Sequence, residues 1–272
     1  MTAVEQPTPE AAASASLPDE LSWRRSVEVL VGRNAKRLLR SPVTLVQSVF
    51  FPTLLLLTLL AAFGRVIGGS VSEYAARMVP QLVIAAGAFG AAGTGIAVHT
   101  DRMSGMIDRL RALPIDRRAY LVAAVVADAA RAVAAAVVLT VIGYVFGFRF
   151  EQGPLAILGF VAVAAAFSTI WAWLAVRVGL VAPASEAVGS AMNGPVLMLF
   201  FLSTGFVPVE GFPGWLQPVV RANPLSVAVE TLIGLSAGGP IMVPALQTAA
   251  WIAVLTALLA PSAVRRYRTL AP

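Results

Sequence analysis

His99 is the only histidine in the chain, and Asp101 follows it two residues later. A zinc site needs three or four histidine, cysteine or carboxylate ligands, so this pair falls short of one. Cysteine is absent, which removes disulfides, thiolate metal sites and a thiol nucleophile together. A serine hydrolase would require His99 to meet a serine such as Ser203, yet the hydrophobic pattern sets these two at opposite faces of a membrane. A phosphate-binding loop needs a lysine directly after a glycine. The single lysine, Lys36, follows Ala35. Gly87, Gly90, Gly93 and Gly95 imitate a glycine-rich loop, but they lie in an apolar run with no strand before it. Close helix packing explains them better. No catalytic, cofactor-binding or metal-ligating residue is expected.

What remains is a set of polar groups in costly places. Asp128 and Arg131 sit one helical turn apart, well inside an apolar run. Each would cost about 3 kcal/mol unpaired at the centre of a bilayer. Spacing of i, i+3 lets them neutralise each other on one face, which must look into protein or water. An internal ion pair, or a bridge to a partner subunit, is the first reading; a substrate contact is the second. Asn193-Gly-Pro195 reads first as a kink site. Its second reading, shared with Ser203 and Thr204, is the lining of a transport path.

The elements that must carry these groups follow from composition. Of the 272 residues, 58% are apolar and only 12% charged. A soluble domain has about a quarter charged residues, so this chain lacks the surface to dissolve itself. Its apolar residues come in blocks of about twenty, the length that crosses a bilayer as a helix. They show no two-residue alternation, which excludes a membrane barrel. The fold class is therefore an all-α integral membrane protein. Six transmembrane helices are predicted, over about 43–63, 78–98, 119–145, 154–176, 188–207 and 242–261. Leu225 to Ala237 is too short to cross and is interrupted by Glu230, so it is predicted to be an extracellular re-entrant or interfacial segment before the last span.

Flanking segments complete the plan. Residues 1–20 hold prolines, alanines, serines and four acids with no base, the composition of a disordered cytosolic tail. From 21 to 42 Trp23, Val27, Leu30, Val31 and Leu38 recur at helical spacing between arginines, which predicts an amphipathic interfacial helix. The transmembrane domain spans 43–262, and 263–272 form a cytosolic C-terminus. With both ends inside, fifteen basic residues fall on cytosolic segments and four outside, with Arg131 within a span. The positive-inside rule therefore sets N-in and C-in. The same flanks account for the net charge of +6, so nucleic acid is not an expected partner.

Between the second and third spans, Met103, Met106, Ile107, Leu110 and Leu113 form an apolar stripe at helical spacing. Ser104, Asp108 and Arg111 face the other way, and Pro114 ends the helix. Such a helix either rests on the membrane or inserts into a groove on a cytosolic subunit.

The run Asp101-Arg-Met-Ser-Gly-Met-Ile-Asp-Arg-Leu-Arg-Ala-Leu-Pro114 resembles the cytosolic loop of ABC-2 type permeases, with its acidic-basic pair, glycine and R-L-x-x-x-P pattern. A second series is similar to the segment after the fifth span in the daunorubicin-resistance (Drr-type) branch of those exporters. It comprises Phe201-Leu-Ser-Thr-Gly-Phe-Val-Pro208, Phe212-Pro-Gly-Trp-Leu-Gln-Pro218 and Asn223-Pro-Leu-Ser226. The likeness runs from about Leu21 to the C-terminus. It departs at Val227 and Ile233, where the family often carries an aromatic or polar residue and then a basic one.

The resemblance implies a permease subunit that exports a hydrophobic or amphipathic, drug- or lipid-like compound across the plasma membrane of a bacterium. It further implies a second permease copy or a paralogue, surrounding lipid, and two copies of an ABC-type ATPase subunit in which ATP and magnesium bind. Met103, Met106, Ile107, Arg109, Leu110, Arg111 and Pro114 become the residues that couple to that ATPase. The alternative is an ion-coupled secondary transporter or channel, with Asp128 as its titrating group; inverted repeats between the halves would favour it, and none is evident.

Overall fold

The computed structural model describes residues 25, 27–32, 42–66, 69–111 and 117–269. The predicted tail at 1–20, most of the predicted interfacial helix, Leu113, Pro114 and the last three residues lie outside them. Among the described residues every regular element is a helix. Their order is α1 (Pro42–Phe63), α2 (Val71–Met103), α3 (Met106–Arg111), α4 (Arg117–Val145), α5 (Pro154–Gly179), α6 (Ser185–Phe201), a 3₁₀ turn (Val209–Gly211), α7 (Gln217–Ala222), α8 (Pro224–Ala237) and α9 (Met242–Thr269). Four are long and apolar enough to cross a membrane: Val71–Met103, Arg118–Val145, Pro154–Gly179 and Met242–Thr269.

Helix α2 is the hub, packing against α1, α4, α5, α6 and α8. Its 33 residues span about 50 Å at 1.5 Å per residue, well beyond a bilayer core of about 30 Å. Hydropathy marked only its middle, 78–98. The polar turns at either end continue the helix instead of closing it. Ser70 caps the start by accepting from the Glu73 amide at 3.2 Å, and Arg102 sits favourably in the last turn. Lipid is as apolar as leucine, so helices here gain little from apolar transfer and depend on close contact. Small residues supply it: a Cβ on Gly95 would lie 2.8 Å from the Ala175 carbonyl oxygen on α5, and one on Gly179 would overlap the Gly95 carbonyl. Gly87 meets Ser168 of α5 in the same way, whereas Gly93 faces open space and carries no packing constraint.

Two predicted boundaries are corrected. The fifth span does not run to Val207; α6 ends at Phe201, and Ser203, Thr204 and Gly205 form a buried turn. The last helix does not stop at Pro261 but continues to Thr269 with Pro261 inside it. A proline within a helix forfeits one backbone hydrogen bond and costs about 3 kcal/mol. Here the extension is held by Ala263 and Tyr267, which are buried at its far end. Helix α8 occupies the predicted re-entrant stretch. Asn223 caps it by accepting from the Leu225 amide at 2.9 Å, Pro224 takes the first position, and Gly238 (φ 89°) ends it. Leu225, Ala228, Val229 and Leu232 bury it against α2, α5 and α9.

Two cores result. The larger one joins α1, α2, α4, α5, α6 and α8. The second gathers Leu30, Val98, Ile107, Leu110, Tyr120, Trp173, Val176, Ala263 and Tyr267, at the end of the molecule where α2 stops and α4 begins.

Candidate functional site

Three polar assemblies interrupt the apolar packing. The first is the predicted ion pair. Arg131 and Asp128 meet at 3.0 Å on α4, and they are 5% and 2% exposed. Arg131 Nε and Nη2 both donate to Asp128 Oδ1, at 3.1 and 3.0 Å, and Thr94 Oγ1 of α2 donates to the same oxygen at 2.8 Å. The guanidinium also reaches across to α2, where Nη1 donates to the Ala86 carbonyl at 3.3 Å and Nη2 to the Gly87 carbonyl at 3.2 Å. Gly90 makes this possible, because a Cβ there would overlap the guanidinium. Neither charge reaches the outer surface, and the pair joins α4 to α2 as an internal bridge.

The second assembly lies where α6 breaks. A helix end leaves carbonyls without partners, and lipid offers none. Asn223 Nδ2 donates to the Leu199 and Leu202 carbonyls at 2.7 and 2.8 Å. Gln81 Nε2 of α2 donates to the Phe200 carbonyl at 3.3 Å and to Ser203 Oγ at 2.7 Å. Ser203 Oγ itself donates to the Phe200 carbonyl, and the Thr204 amide donates to Ser226 Oγ of α8. Ser203 and Thr204, predicted as path lining, are thus buried parts of a cap, and Asn193 stands apart from them on the exposed face of α6. Gln81 was not singled out from sequence, although a lone amide in an apolar run carries the same signal as Asp128. Asn223→Ala should strand two carbonyls and an amide at about 1–3 kcal/mol each, seen as a lower melting temperature in detergent. Unchanged melting would show that the cap contributes nothing.

The third assembly is the loop that follows α2. The stripe predicted from Met103 to Leu113 is not carried by one helix. Met103 closes α2 and is 65% exposed, whereas Met106 to Arg111 form the separate helix α3. The break falls at Gly105, whose φ of 68° suits glycine and strains other residues. Of the predicted apolar stripe, the part carried by α3 faces inward. Ile107 and Leu110 are buried in the second core and Met106 is half-buried, so they are seated in this chain and not offered to another. Asp108 and Arg109 are exposed; Arg111 ends the helix, with its side chain outside the described residues. Arg102 secures the junction by donating to the Leu180 and Ala182 carbonyls at 3.2 and 3.3 Å, and Tyr120 donates to Asp101 at 3.0 Å.

His99 is buried beside this loop, with Nδ1 unpaired among the described residues. Among those residues no group of three histidine or carboxylate side chains could hold a metal ion.

Residues 25–235 match the family model described as ABC-2 type transporter, a stretch that contains all three assemblies. The chain is similar to the daunorubicin resistance ABC transporter permease protein DrrB1 of Streptomyces coeruleorubidus, with 33% identity over 187 residues, 69% of this chain and 66% of that relative. It is also similar to the probable doxorubicin resistance permease protein DrrC of Mycobacterium tuberculosis, with 28% identity over 232 residues, 84% of this chain and 83% of the relative. A further relative from that species, the doxorubicin resistance permease protein DrrB, is 30% identical over 213 residues, 74% of this chain and 73% of its own length. A helical membrane protein with these motifs, matched over most of its length, belongs to the ABC-2 type transporter family.

Proposed function

We propose that the chain is the transmembrane permease subunit of an ATP-binding cassette exporter. It moves a hydrophobic or amphipathic, drug-like compound out of the cell while a separate subunit hydrolyses ATP. The observation that carries this reading is helix α3. It is set off from α2 at Gly105, seated on the chain by Ile107 and Leu110, and presents Asp108 and Arg109 outward beside exposed Met103. That outward strip is where two copies of the ATPase, with ATP and magnesium, would dock one per permease. In this reading α1 and α6 complete six spans, α8 enters from outside without crossing, and both chain ends are cytosolic in a bacterial plasma membrane.

The second permease copy or paralogue is supported by a contrast between faces. Away from their ends, outward residues of α4, α5 and α9 are apolar apart from Gln247, among them Val126, Val137, Val141, Leu155, Leu158, Leu246 and Leu258. Helix α6 instead exposes Glu186, Ser190 and Asn193, with open space at Gly189 and Gly194. Polar groups at membrane depth need protein or water beside them. A partner permease, with the transport path between the two and Asn193 on it, meets that need.

The absence of cysteine makes a direct test clean. In intact cells Glu210→Cys should label with an impermeant thiol reagent and Ser104→Cys should not. In inside-out vesicles Ser104→Cys should label, and bound ATPase should protect it. Labelling of Ser104→Cys from outside the cell would overturn the topology, and labelling unaffected by the ATPase would overturn the docking site.

A further inference from the structure

The cytosolic end of α9 is the strut through which helix α3 acts on the membrane helices: we infer that Tyr267 positions α3, so that a push delivered there moves α4 and α9 as well as α2. This rests on the proposed docking of an ATPase at α3. Covalently, α3 is attached to α2 through Ser104 and Gly105, whose backbone hydrogen bonds reach Thr100, Arg102 and Arg109. Gly105 has positive φ, nothing lies within 4 Å of where its Cβ would be, and Ser104 is exposed. The side-chain contacts run further. Ile107 and Leu110 are 2% and 9% exposed, within a core shared by Val98 of α2, by Ala119, Tyr120 and Leu121 of α4, by Trp173 and Val176 of α5, and by Ala263 and Tyr267 of α9.

Tyr267 is 2% exposed, and its ring stacks on Tyr120 with centroids 6.0 Å apart and planes 21° from parallel. Packed interiors transmit displacement because they have no free volume to absorb it. The surroundings of α9 sharpen the point. The extension past Pro261 is the only part of that helix with two buried apolar side chains one turn apart, while the lengths before it face outward at Val243, Leu246, Val254 and Leu258. A helix end that merely left the membrane would need neither the aromatic stack nor burial of Ala263. The aromatic pair therefore ties the last span to the start of α4, within the core that also seats α3.

The test uses the full chain co-expressed with its ATPase, with doxorubicin as transport probe in inside-out vesicles. Tyr267→Ala should keep its membrane level, its bound ATPase and its ATP hydrolysis, while doxorubicin uptake per ATP hydrolysed falls at least tenfold. Tyr267→Phe, which keeps the ring, should restore that ratio. Wild-type uptake by Tyr267→Ala, or failure of Tyr267→Phe to rescue, would overturn the inference. If Tyr267→Ala failed to accumulate, the milder Tyr267→Leu, which fills the space without stacking, would replace it and face the same criteria. Asp108→Lys with Arg109→Glu separates the two readings: ATPase still bound to that variant would overturn docking at α3, whichever way the Tyr267 variants behave.

Discussion

Replacing Asp128 with alanine should lower the yield of folded protein several-fold, whereas replacing both Asp128 and Arg131 with alanine should restore most of it. Removing one partner of a buried pair costs about 3–5 kcal/mol, because the other charge stays behind without its counter-ion. Here the stranded group would be the guanidinium, which loses both hydrogen bonds to Asp128 Oδ1 and keeps only the Ala86 and Gly87 carbonyls. The double variant leaves a cavity and an unpaired Thr94 hydroxyl, a far smaller cost than a bare charge in lipid. Monodisperse protein after size exclusion in detergent reads the difference. Equal yield for the parent, single and double variants would show that water reaches the pair. A double variant that folds but does not export would move the pair from bridge to transport path.

The four helices long and apolar enough to cross a membrane were legible in the sequence because lipid selects long apolar runs, whatever they later pack against. The ion pair was legible for the same reason in reverse, since two charges in such a run have few places to go. Its counterpart on α2 was not. Gly90 reads as generic small-residue packing until the guanidinium is seen above it. The end of α6 was hidden because Phe206 and Val207 resume the apolar run after Ser203, Thr204 and Gly205. The turn there is stabilised by Gln81 and Asn223, which are distant in sequence. The continuation of α9 was hidden by Pro261 and three arginines, local signals for a stop. A stack with Tyr120, from the other half of the chain, overrides them. Amphipathic spacing found the right stripe on α3, but periodicity records which face is apolar and not what covers it. In each case the missing information was a contact between segments far apart in the chain.

The distribution of polar groups also separates what holds the fold from what faces a partner. Asp128, Arg131, Gln81, Ser203 and Asn223 are buried and bonded, so they join helices to each other. Asn193, Ser190, Asp108 and Arg109 are exposed. A member of a transporter family with no phosphate loop of its own, and with exposed polar groups on both α6 and α3, fits work inside an assembly.

That requirement can be measured in one reconstitution. Proteoliposomes holding the chain with its co-purified ATPase, oriented so that the cytosolic face is outward, are given doxorubicin and ATP. Accumulation should depend on both ATP and the ATPase, and should vanish when either is withheld or when a non-hydrolysable nucleotide is supplied. Proton or sodium gradients imposed on the chain alone should move nothing. Gradient-driven accumulation by the chain without any ATPase would contradict the account and identify an ion-coupled transporter instead.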